Sequence, residues 1–341
     1  MVPKQTPMAS PRSILRDRSL LVEGDALRRL QVPRPGAALR AVALSHLGLV
    51  AAFALPLLVP SLPAYAVAIV LAVGVQTRLA VLMHEAAHGL LHRDRRVNDR
   101  LGNWLAAFAI GTTVEAYRAN HLQHHANLGT PQDPDFTTLC VPPIRRGLAA
   151  SVVGCLTGLR HVQLMRKYLG RGDAASDAPS NAAAMLLGRV VWQGSLLGAC
   201  LAAGQPLVYL VVWVLPLFTV SVLINELRSV VEHTPLVGAA MPDEELPPIT
   251  RTVRAGWIGR TWIGPLNFHY HLEHHLHPRV PFSRLRELHE VLVERGHYEA
   301  RPELLCDGYG QVLRAVWERY RRPRTRPRIS IEDGTYVVHG G

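Results

Sequence analysis

Four long apolar segments dominate the pattern of hydrophobic and polar residues. Residues 41–60 contain no charged side chain, and residues 63–83 follow after a very short turn. Residues 182–203 and 206–224 repeat this arrangement, with only Gly204 and Gln205 between them. Each segment has about 20 residues, the length that an α-helix needs to cross the hydrocarbon core of a bilayer. The pattern therefore predicts an all-α integral membrane protein with four transmembrane helices in two hairpins.

The remaining segments complete the predicted organisation. Residues 101–111 and 148–159 are apolar but too short to span, and we predict that they are interfacial or re-entrant. Residues 171–181, with Gly, Asp, Ser and Pro, have the composition of a linker. We expect a cytoplasmic N-terminal segment at 1–40, disordered at 1–12, then a membrane domain at 41–295 and a basic cytoplasmic tail at 296–341.

The distribution of charge predicts the orientation. The two turns within the hairpins contain no basic residue, whereas basic residues are frequent before the first span. They include Lys4, Arg12, Arg16, Arg18, Arg28, Arg29, Arg34 and Arg40. Such residues are retained on the cytoplasmic side, so we expect both termini and segments 84–181 and 225–341 to be cytoplasmic. The net charge of +11 is concentrated at the chain ends and suits anionic headgroups. No nucleic-acid-reading motif is recognisable, so no nucleic-acid partner is expected.

Two further features bear on the compartment. The first forty residues contain no apolar run, which predicts that there is no cleavable signal peptide. The four cysteines lie far apart without a C-x-x-C pair, which argues against a disulfide framework or a cysteine metal site. A reducing compartment is expected.

Three clusters of histidine at helical spacing are candidate metal sites. They are His84 and His88; His121, His124 and His125; and His271, His274 and His275. Positions i, i+3 and i+4 share one face of a helix, so each cluster can direct its imidazoles at a common point. Eight imidazoles exceed the needs of one tetrahedral ion, which indicates two ions, and imidazole-rich sites suit redox iron. All three clusters lie in segments predicted to be cytoplasmic. His233, just beyond the fourth span, is an additional candidate ligand.

Neighbouring polar residues are candidates for supporting roles. We expect Glu85, Glu232 and Glu273 to orient metal-bound histidines rather than bind the ions. For Glu232, the alternative is that it is an ordinary charged residue at the membrane interface. His92 is interpreted as interfacial, because the chain turns basic directly after it. We assign no role to several other residues: Asn267, His269, His277, His46, His161, His289, His297 and His339.

These motifs resemble those of the membrane fatty acid desaturase and hydroxylase superfamily, which carries three histidine boxes on a four-span scaffold with a cytoplasmic di-iron site. His84-Glu-Ala-Ala-His88-Gly89 resembles the first box, and Asn98-Asp-Arg-Leu-Gly102 is similar to the stretch that follows it. Asn120-His-Leu-Gln-His-His125 resembles the second box. His271-Leu-Glu-His-His-Leu276-His-Pro278-Arg-Val-Pro281 resembles the third.

The resemblance covers roughly residues 40–295 and implies that the eight clustered histidines, together with His233, bind two iron ions. In some members an asparagine stands four residues before the extra histidine, and Ser229 departs from that pattern here. The resemblance implies an oxidoreductase that uses dioxygen to desaturate a fatty acyl chain carried by a lipid, coenzyme A or a carrier protein. A carotenoid or alkyl-chain hydroxylase or ketolase is the alternative. The His-Pro-Gly-Gly motif of a fused cytochrome b5 is absent, so a separate ferredoxin, rubredoxin or cytochrome b5-type donor with its reductase is expected.

Two unrelated functions are also compatible with parts of the pattern. His84-Glu-Ala-Ala-His88 is the H-E-x-x-H motif of a zinc metalloprotease, with Glu85 as the possible base. Such an enzyme needs only one more ligand and leaves the other two clusters unexplained. A metal transporter would line its route across the bilayer with histidines, whereas the predicted clusters lie beside the spans on one face.

Overall fold

A computed structural model describes residues 21–130, 132–140, 147–169, 182–233, 250–320, 328–332 and 335–339, and most of these residues are helical. The helices in chain order are α1 (Gly24–Leu30), α2 (Ala37–Leu58), α3 (Leu62–Ala87), α4 (Arg95–Gly102), α5 (Val114–Asn127), α6 (Leu148–Leu156), α7 (Leu159–Leu169), α8 (Ala182–Ala202), α9 (Pro206–His233), α10 (His271–Leu276), α11 (Leu285–Glu294), α12 (His297–Ala300) and α13 (Tyr309–Tyr320). The predicted disorder at 1–12 and the predicted linker at 171–181 lie outside the described residues.

Four of these helices, α2, α3, α8 and α9, are long and apolar enough to cross a membrane. This confirms the four predicted candidate spans. Two of the helices continue beyond the predicted spans, α3 to Ala87 and α9 to His233. The added turns carry polar side chains that a hydropathy pattern excludes, yet Glu85 and Glu232 are buried by neighbouring elements.

Capping side chains fix where two of the site-bearing helices begin. Ser61 Oγ accepts the backbone N–H of Ala64 at the start of α3. Thr113 Oγ1 accepts the N–H of Ala116 at the start of α5. Each hydroxyl satisfies a donor that the first helical turn leaves without a partner. The caps thus help to set the register of the first two histidine clusters.

Helix α9 is irregular. A π-helical turn at Tyr209–Val214 precedes Pro216, and Thr219 leaves the helical region with φ −124° and ψ −79°. Proline lacks the N–H that would bond to the carbonyl four residues earlier, which accounts for the irregular turn before Pro216. A regular segment, Val220–His233, then carries the chain to the candidate site.

The shorter apolar segments pack around the spans. Residues Asn103–Ala107 form a π-helical turn after α4. The next carbonyls, those of Phe108 and Ala109, accept hydrogen bonds from Gln193 of α8, and that of Ala109 also accepts one from Trp213 of α9. Helix α6 and the start of α7 meet at an angle of 88°. Polar backbone groups in the first of these segments are therefore satisfied by side chains of the candidate spans.

Short strands complete the fold. β1 (Thr252–Val253) pairs in parallel with β2 (Leu305–Cys306), and a 3-10 turn at Pro302–Leu304 precedes β2. β3 (Arg328–Glu332) and β4 (Thr335–His339) form an antiparallel pair. Val312 and Val316 of α13, in the segment that we assigned to the tail, pack with the end of α9 and with β1 in one buried cluster.

Candidate metal centre

Four helix ends bring the nine candidate ligands together. His84 lies near the end of α3 and His88 directly follows that helix, α5 and α10 carry the second and third clusters, and α9 ends at His233. The imidazoles form two groups, in each of which one nitrogen per residue lies within 4.8 Å of all the others. The five-histidine group contains His84, His88, His121, His125 and His274; the four-histidine group contains His124, His233, His271 and His275.

The Nε2 atoms of the five-histidine group form a continuous series of short contacts. Distances of 2.9 or 3.0 Å join the pairs in order: His88 to His121, His121 to His125, His125 to His274, and His274 to His84. A neutral imidazole nitrogen carries either one proton or one lone pair, so it can take part in one hydrogen bond. At most two of these four contacts can therefore be hydrogen bonds. Lone pairs directed at a shared cation account for all four.

The four-histidine group shows the same feature. His271 Nε2 lies 2.8 Å from His233 Nε2 and 3.1 Å from His275 Nε2, and it can hydrogen-bond to only one of them. The His124 ring centroid lies 4.8 Å from that of His233 and 5.0 Å from that of His275. Since His124 Nδ1 contacts a carboxylate, Nε2 is the nitrogen left for the group.

The nitrogen spacing fits metal coordination. Two nitrogens bound at about 2.0–2.1 Å to one ion lie about 2.9–3.4 Å apart when the angle between the bonds is about 90–110°. The six Nε2 contacts in the two groups span 2.8–3.1 Å. Both groups thus have the donor chemistry and spacing to hold a metal ion.

Burial keeps most of these imidazoles neutral. His88 and His125 are half-buried, and the other seven ligand candidates are buried. Burial and, next, neighbouring imidazoles hold several pKa values well below the ordinary value: those of His121, His125, His271, His274 and His275. Burial and nearby Arg118 lower the pKa of His88 to about 4. Neutral rings retain the lone pair that metal binding requires.

Asp133 is a site residue that the sequence pattern missed. Its fully buried carboxylate lies 2.9 and 3.0 Å from His124 Nδ1 and accepts backbone N–H groups of Gly129, Asp135 and Phe136. Burial lowers the pKa of His124, but attraction to Asp133 outweighs it and the net pKa is raised. Asp133 lies in a turn after α5, so the helical spacing that predicted the ligands did not include it. The sequence signal that could have pointed to it was an acidic residue next to a proline, shortly after the second histidine cluster.

Two of the three predicted supporting glutamates face ligand candidates. Glu85 Oε1 lies 3.8 Å from His84 Nδ1, and Glu232 Oε2 lies 3.5 Å from His271 Nδ1. Both carboxylates are buried, and Glu232 is also paired with Arg228. They lie beside the outer nitrogens of these rings, but neither Nδ1 atom has a hydrogen-bond partner among the described residues.

Glu273 has different partners. Its carboxylate contacts His289 Nδ1 at 2.6 Å and accepts hydrogen bonds from Tyr298 and Thr252. We assigned no role to His289 from the sequence, but α11 lies against α10 and directs the His289 ring at Glu273. Glu273 therefore anchors the helix that carries the third cluster to α11, α12 and β1.

A buried clamp holds the end of α3. Arg118 of α5 donates to the carbonyls of Ala86 and Ala87, each at 2.8 Å, and its guanidinium also contacts both carboxylate oxygens of Asp99 at 2.5 and 2.9 Å. Asn98 donates to the Ala86 carbonyl and to Asp99. The C-terminal carbonyls of a helix have no partner within the helix, so these bonds satisfy them and fix the chain beside His88.

The other flanking residues lie outside both histidine groups. Exposed His92 accepts the N–H of Asp94 through Nδ1. Asn267 has a left-handed φ of 63° and donates to the Phe282 carbonyl. His269 Nδ1 lies 3.2 Å from the Gly264 carbonyl, and His277 Nε2 accepts the N–H of Val22.

Comparison with known proteins identifies the family. The sequence profile described as "Fatty acid desaturase" matches residues 60–303, which include all nine candidate ligands. The chain belongs to the fatty acid desaturase family. This family places it in the membrane desaturase and hydroxylase superfamily, as the histidine motifs predicted, and makes it an oxidoreductase.

Curated desaturase-superfamily relatives share about a quarter of the aligned residues. The dihydrorhizobitoxine desaturase of Bradyrhizobium elkanii is 26% identical over 247 residues, covering 69% of each chain. The beta-carotene ketolases of Paracoccus sp. (strain N81106 / MBIC 01143) and Paracoccus sp. (strain PC1) are each 27% identical over 211 residues, covering 61% of this chain and 72% of theirs. Desaturases and ketolases are thus both among the relatives.

Proposed function

We propose that the two histidine groups hold two iron ions. The observation that carries the proposal is that the Nε2 atoms converge on two points. Several of these atoms make two short contacts each, more than the one hydrogen bond that a neutral nitrogen can form. His84, His88, His121, His125 and His274 bind one ion, and His124, His233, His271 and His275 bind the other. Ligands that are all imidazoles, with no thiolate, suit redox iron.

With iron bound, the site supplies dioxygen activation, and hydrogen is removed from an unactivated carbon of the substrate. Reduction of one dioxygen to two waters consumes the two substrate hydrogens, two further electrons and two protons. A ferredoxin, rubredoxin or cytochrome b5-type protein with its reductase delivers the electrons. The protein's part is to hold neutral imidazoles in place and exclude water from the four-histidine group, whose members are all buried.

A carboxylate beside the site orients one of the ligands. Asp133 accepts the Nδ1 proton of His124, so that Nε2 carries the lone pair toward the ion. Glu232 and Glu85 lie 3.5 and 3.8 Å from Nδ1 of His271 and His84 without a hydrogen bond, so this role is proposed for Asp133 alone. Such partners fix both the tautomer and the ring direction of a metal-bound histidine.

The substrate is proposed to be a fatty acyl chain that reaches the site from the membrane and is desaturated. Four candidate spans beside the histidine groups and membership of the desaturase family support this proposal. The spans form two hairpins, and both termini and the metal centre lie in the cytoplasm, as the basic residues before α2 indicate. Ketone formation on a carotenoid is the second candidate, favoured by the two ketolase relatives.

The structure also bears on the two rival functions. In the H-E-x-x-H segment, Glu85 Oε2 accepts the backbone N–H of Phe282, and both histidines belong to a group of five. A zinc protease site needs three protein ligands and a carboxylate free to act on water. The two-iron proposal accounts for all three clusters, whereas the protease and transporter proposals do not.

Two measurements test the proposal together. Purified protein should contain two irons per chain, and His274→Ala should lose iron while the matched exposed variant His92→Ala keeps it. Expression in a host of known lipid composition should produce lipids that lack two hydrogens, and His274→Ala should not. Substitution of two hydrogens by one oxygen in carotenoids would favour the ketolase instead. One zinc and no iron per chain would refute the di-iron centre.

A further inference from the structure

We propose that residues 256–263, called the wedge below, insert into the hydrocarbon region of the bilayer beside α3 and contact lipid acyl chains. The wedge lies between β1 and the third histidine cluster, in a part of the chain expected to be cytoplasmic. Its π-helical turn, Gly259–Ile263, contains no charged residue apart from Arg260. The proposal concerns the membrane surface of the protein and does not depend on the metal or the reaction.

The first observation is the depth at which the wedge contacts α3. Trp262 Nε1 donates to the carbonyl of Val70 at 2.9 Å. Val70 precedes His84 by fourteen residues, which corresponds to about 21 Å along a helix with a rise of about 1.5 Å per residue. The indole therefore lies beside the apolar part of α3, well away from the end that carries the histidines.

The second observation is that α3 is shaped to receive this indole. A Cβ atom at Gly74 would lie 3.0 Å from Trp262 Nε1 and 3.2 Å from Cδ1. Val70 and Gly74 are one helical turn apart, so the glycine leaves room for the ring to reach the Val70 carbonyl. A carbonyl has two acceptor sites, so this bond can form in addition to the helical one. Within a bilayer, such a bond also satisfies the indole N–H.

The third observation is the outer surface of the wedge. Trp257 is 70% exposed and Ile258 55%, and on the adjoining face of α3 Val67 and Val70 are about half-exposed. The apolar surface of the wedge is thus continuous with that of a candidate span. A surface of this kind in contact with water would be costly, whereas acyl chains cover it without cost.

Charge supports lipid rather than a protein as the occupant. Arg254 and Arg260 flank the exposed tryptophan, and no acidic residue occurs between Arg254 and Glu273. The Arg254 side chain extends to Asp307 near α13, and Arg260 donates to the carbonyl of Ala255. An arginine side chain is long enough to extend toward the headgroup layer while the apolar residues beside it lie in the hydrocarbon region.

Site-directed spin labelling of the full chain in lipid nanodiscs tests the proposal. Native cysteines are replaced in a variant that retains its metal content, and a label is attached at Trp257→Cys. Val67→Cys on α3 serves as the membrane reference, and Val293→Cys, an exposed apolar position beside Glu294, as the aqueous reference. We expect the 257 label, like the 67 label, to collide more often with oxygen than with a water-soluble nickel complex. The 293 label should show the reverse.

Two other results would overturn the proposal. If the 257 label collided with the nickel complex as often as the 293 label does, the wedge would lie in water, where a soluble partner could bind it. Shielding from both reagents, with spin–spin broadening between labels, would show that a second copy of the chain covers it. The seating on α3 is tested with Gly74→Leu, which should displace the 257 label, against Gly198→Leu in α8, where a Cβ meets no atom within 4 Å. An unchanged 257 label in Gly74→Leu would contradict the seating.

Discussion

Removal of the Arg118 guanidinium should release the end of α3 and lead to loss of one of the two proposed iron ions. The side chain is buried and makes four hydrogen bonds, two to helix-terminal carbonyls and two to Asp99. Loss of one partner of a buried ion pair costs about 3–5 kcal/mol, and because Asp99 keeps some contact with solvent we expect about 2–4 kcal/mol for Arg118→Ala. His88, directly after α3, would lose its fixed position.

The effect should be uneven between the two histidine groups. His88 belongs to the five-histidine group, so Arg118→Ala should lower iron content from two ions toward one and lower the thermal unfolding midpoint in detergent. Arg118→Lys, which keeps the charge but not the fork of donors, should fall between the variant and the wild type. Arg95→Ala is the matched control, because Arg95 pairs with the same Asp99 from an exposed position. Equal iron content and stability in Arg118→Ala and Arg95→Ala would refute the clamp.

Three further predictions concern the same site. Asp133→Asn should weaken metal binding by about 10–100-fold, as expected when the partner of a metal-bound histidine is changed; metal titration against Asp307→Asn checks this, and equal affinities would contradict it. Gly102→Ala places a Cβ 2.4 Å from that of Ala86 and should cost about 1–3 kcal/mol by overpacking, whereas Gly154→Ala, with open space, should melt like the wild type. In metal-free protein, the lowered histidine pKa values should not affect stability above pH ~6.5, the ordinary pKa of histidine. Stability should fall as the pH drops below this value, because histidines in the unfolded chain bind protons and the buried rings of the folded chain do not. A melting midpoint independent of pH from about 7 to 5 would contradict this.

Hydropathy was sufficient to predict the four candidate spans, because about 20 consecutive apolar residues have few other uses. Hydropathy alone does not show how far α3 and α9 continue beyond these spans. Glu85 and Glu232 are polar in the sequence, but partners distant in the chain bury them, and Phe282 and Arg228 supply their hydrogen bonds. Helix ends of this kind depend on tertiary contacts that a local pattern does not contain.

The wedge was missed for a related reason. Its apolar face comprises a few residues between Arg254 and Arg260, far fewer than a span requires, and hydropathy averaged over a long window hides it. Its one specific signal was the pair of tryptophans, Trp257 and Trp262. Only the contact with Val70 shows at which depth they lie.

The contact between Glu273 and His289 could not be predicted either. The two residues are sixteen positions apart on different helices, so no helical spacing connects them. His289 has no histidine at i+3 or i+4, so the spacing assigned it no role. Spacing identifies residues that share a helix face, whereas partners on another helix need the packing of α10 against α11.

Helical geometry also explains why the clusters divide as they do, which the count of imidazoles did not reveal. At 3.6 residues per turn, positions i and i+4 differ by about 40° around the axis, whereas i+3 and i+4 differ by about 100°. In the second cluster His121 and His125 accordingly belong to the five-histidine group, and His124 points to the other. In the third cluster His271 and His275 share the four-histidine group, and His274 turns to the five-histidine group. The H-x-x-H-H spacing therefore lets each of these helices contribute ligands to both histidine groups. Two copies of this spacing suit the proposed two-metal centre, whereas isolated histidine pairs would each serve one group.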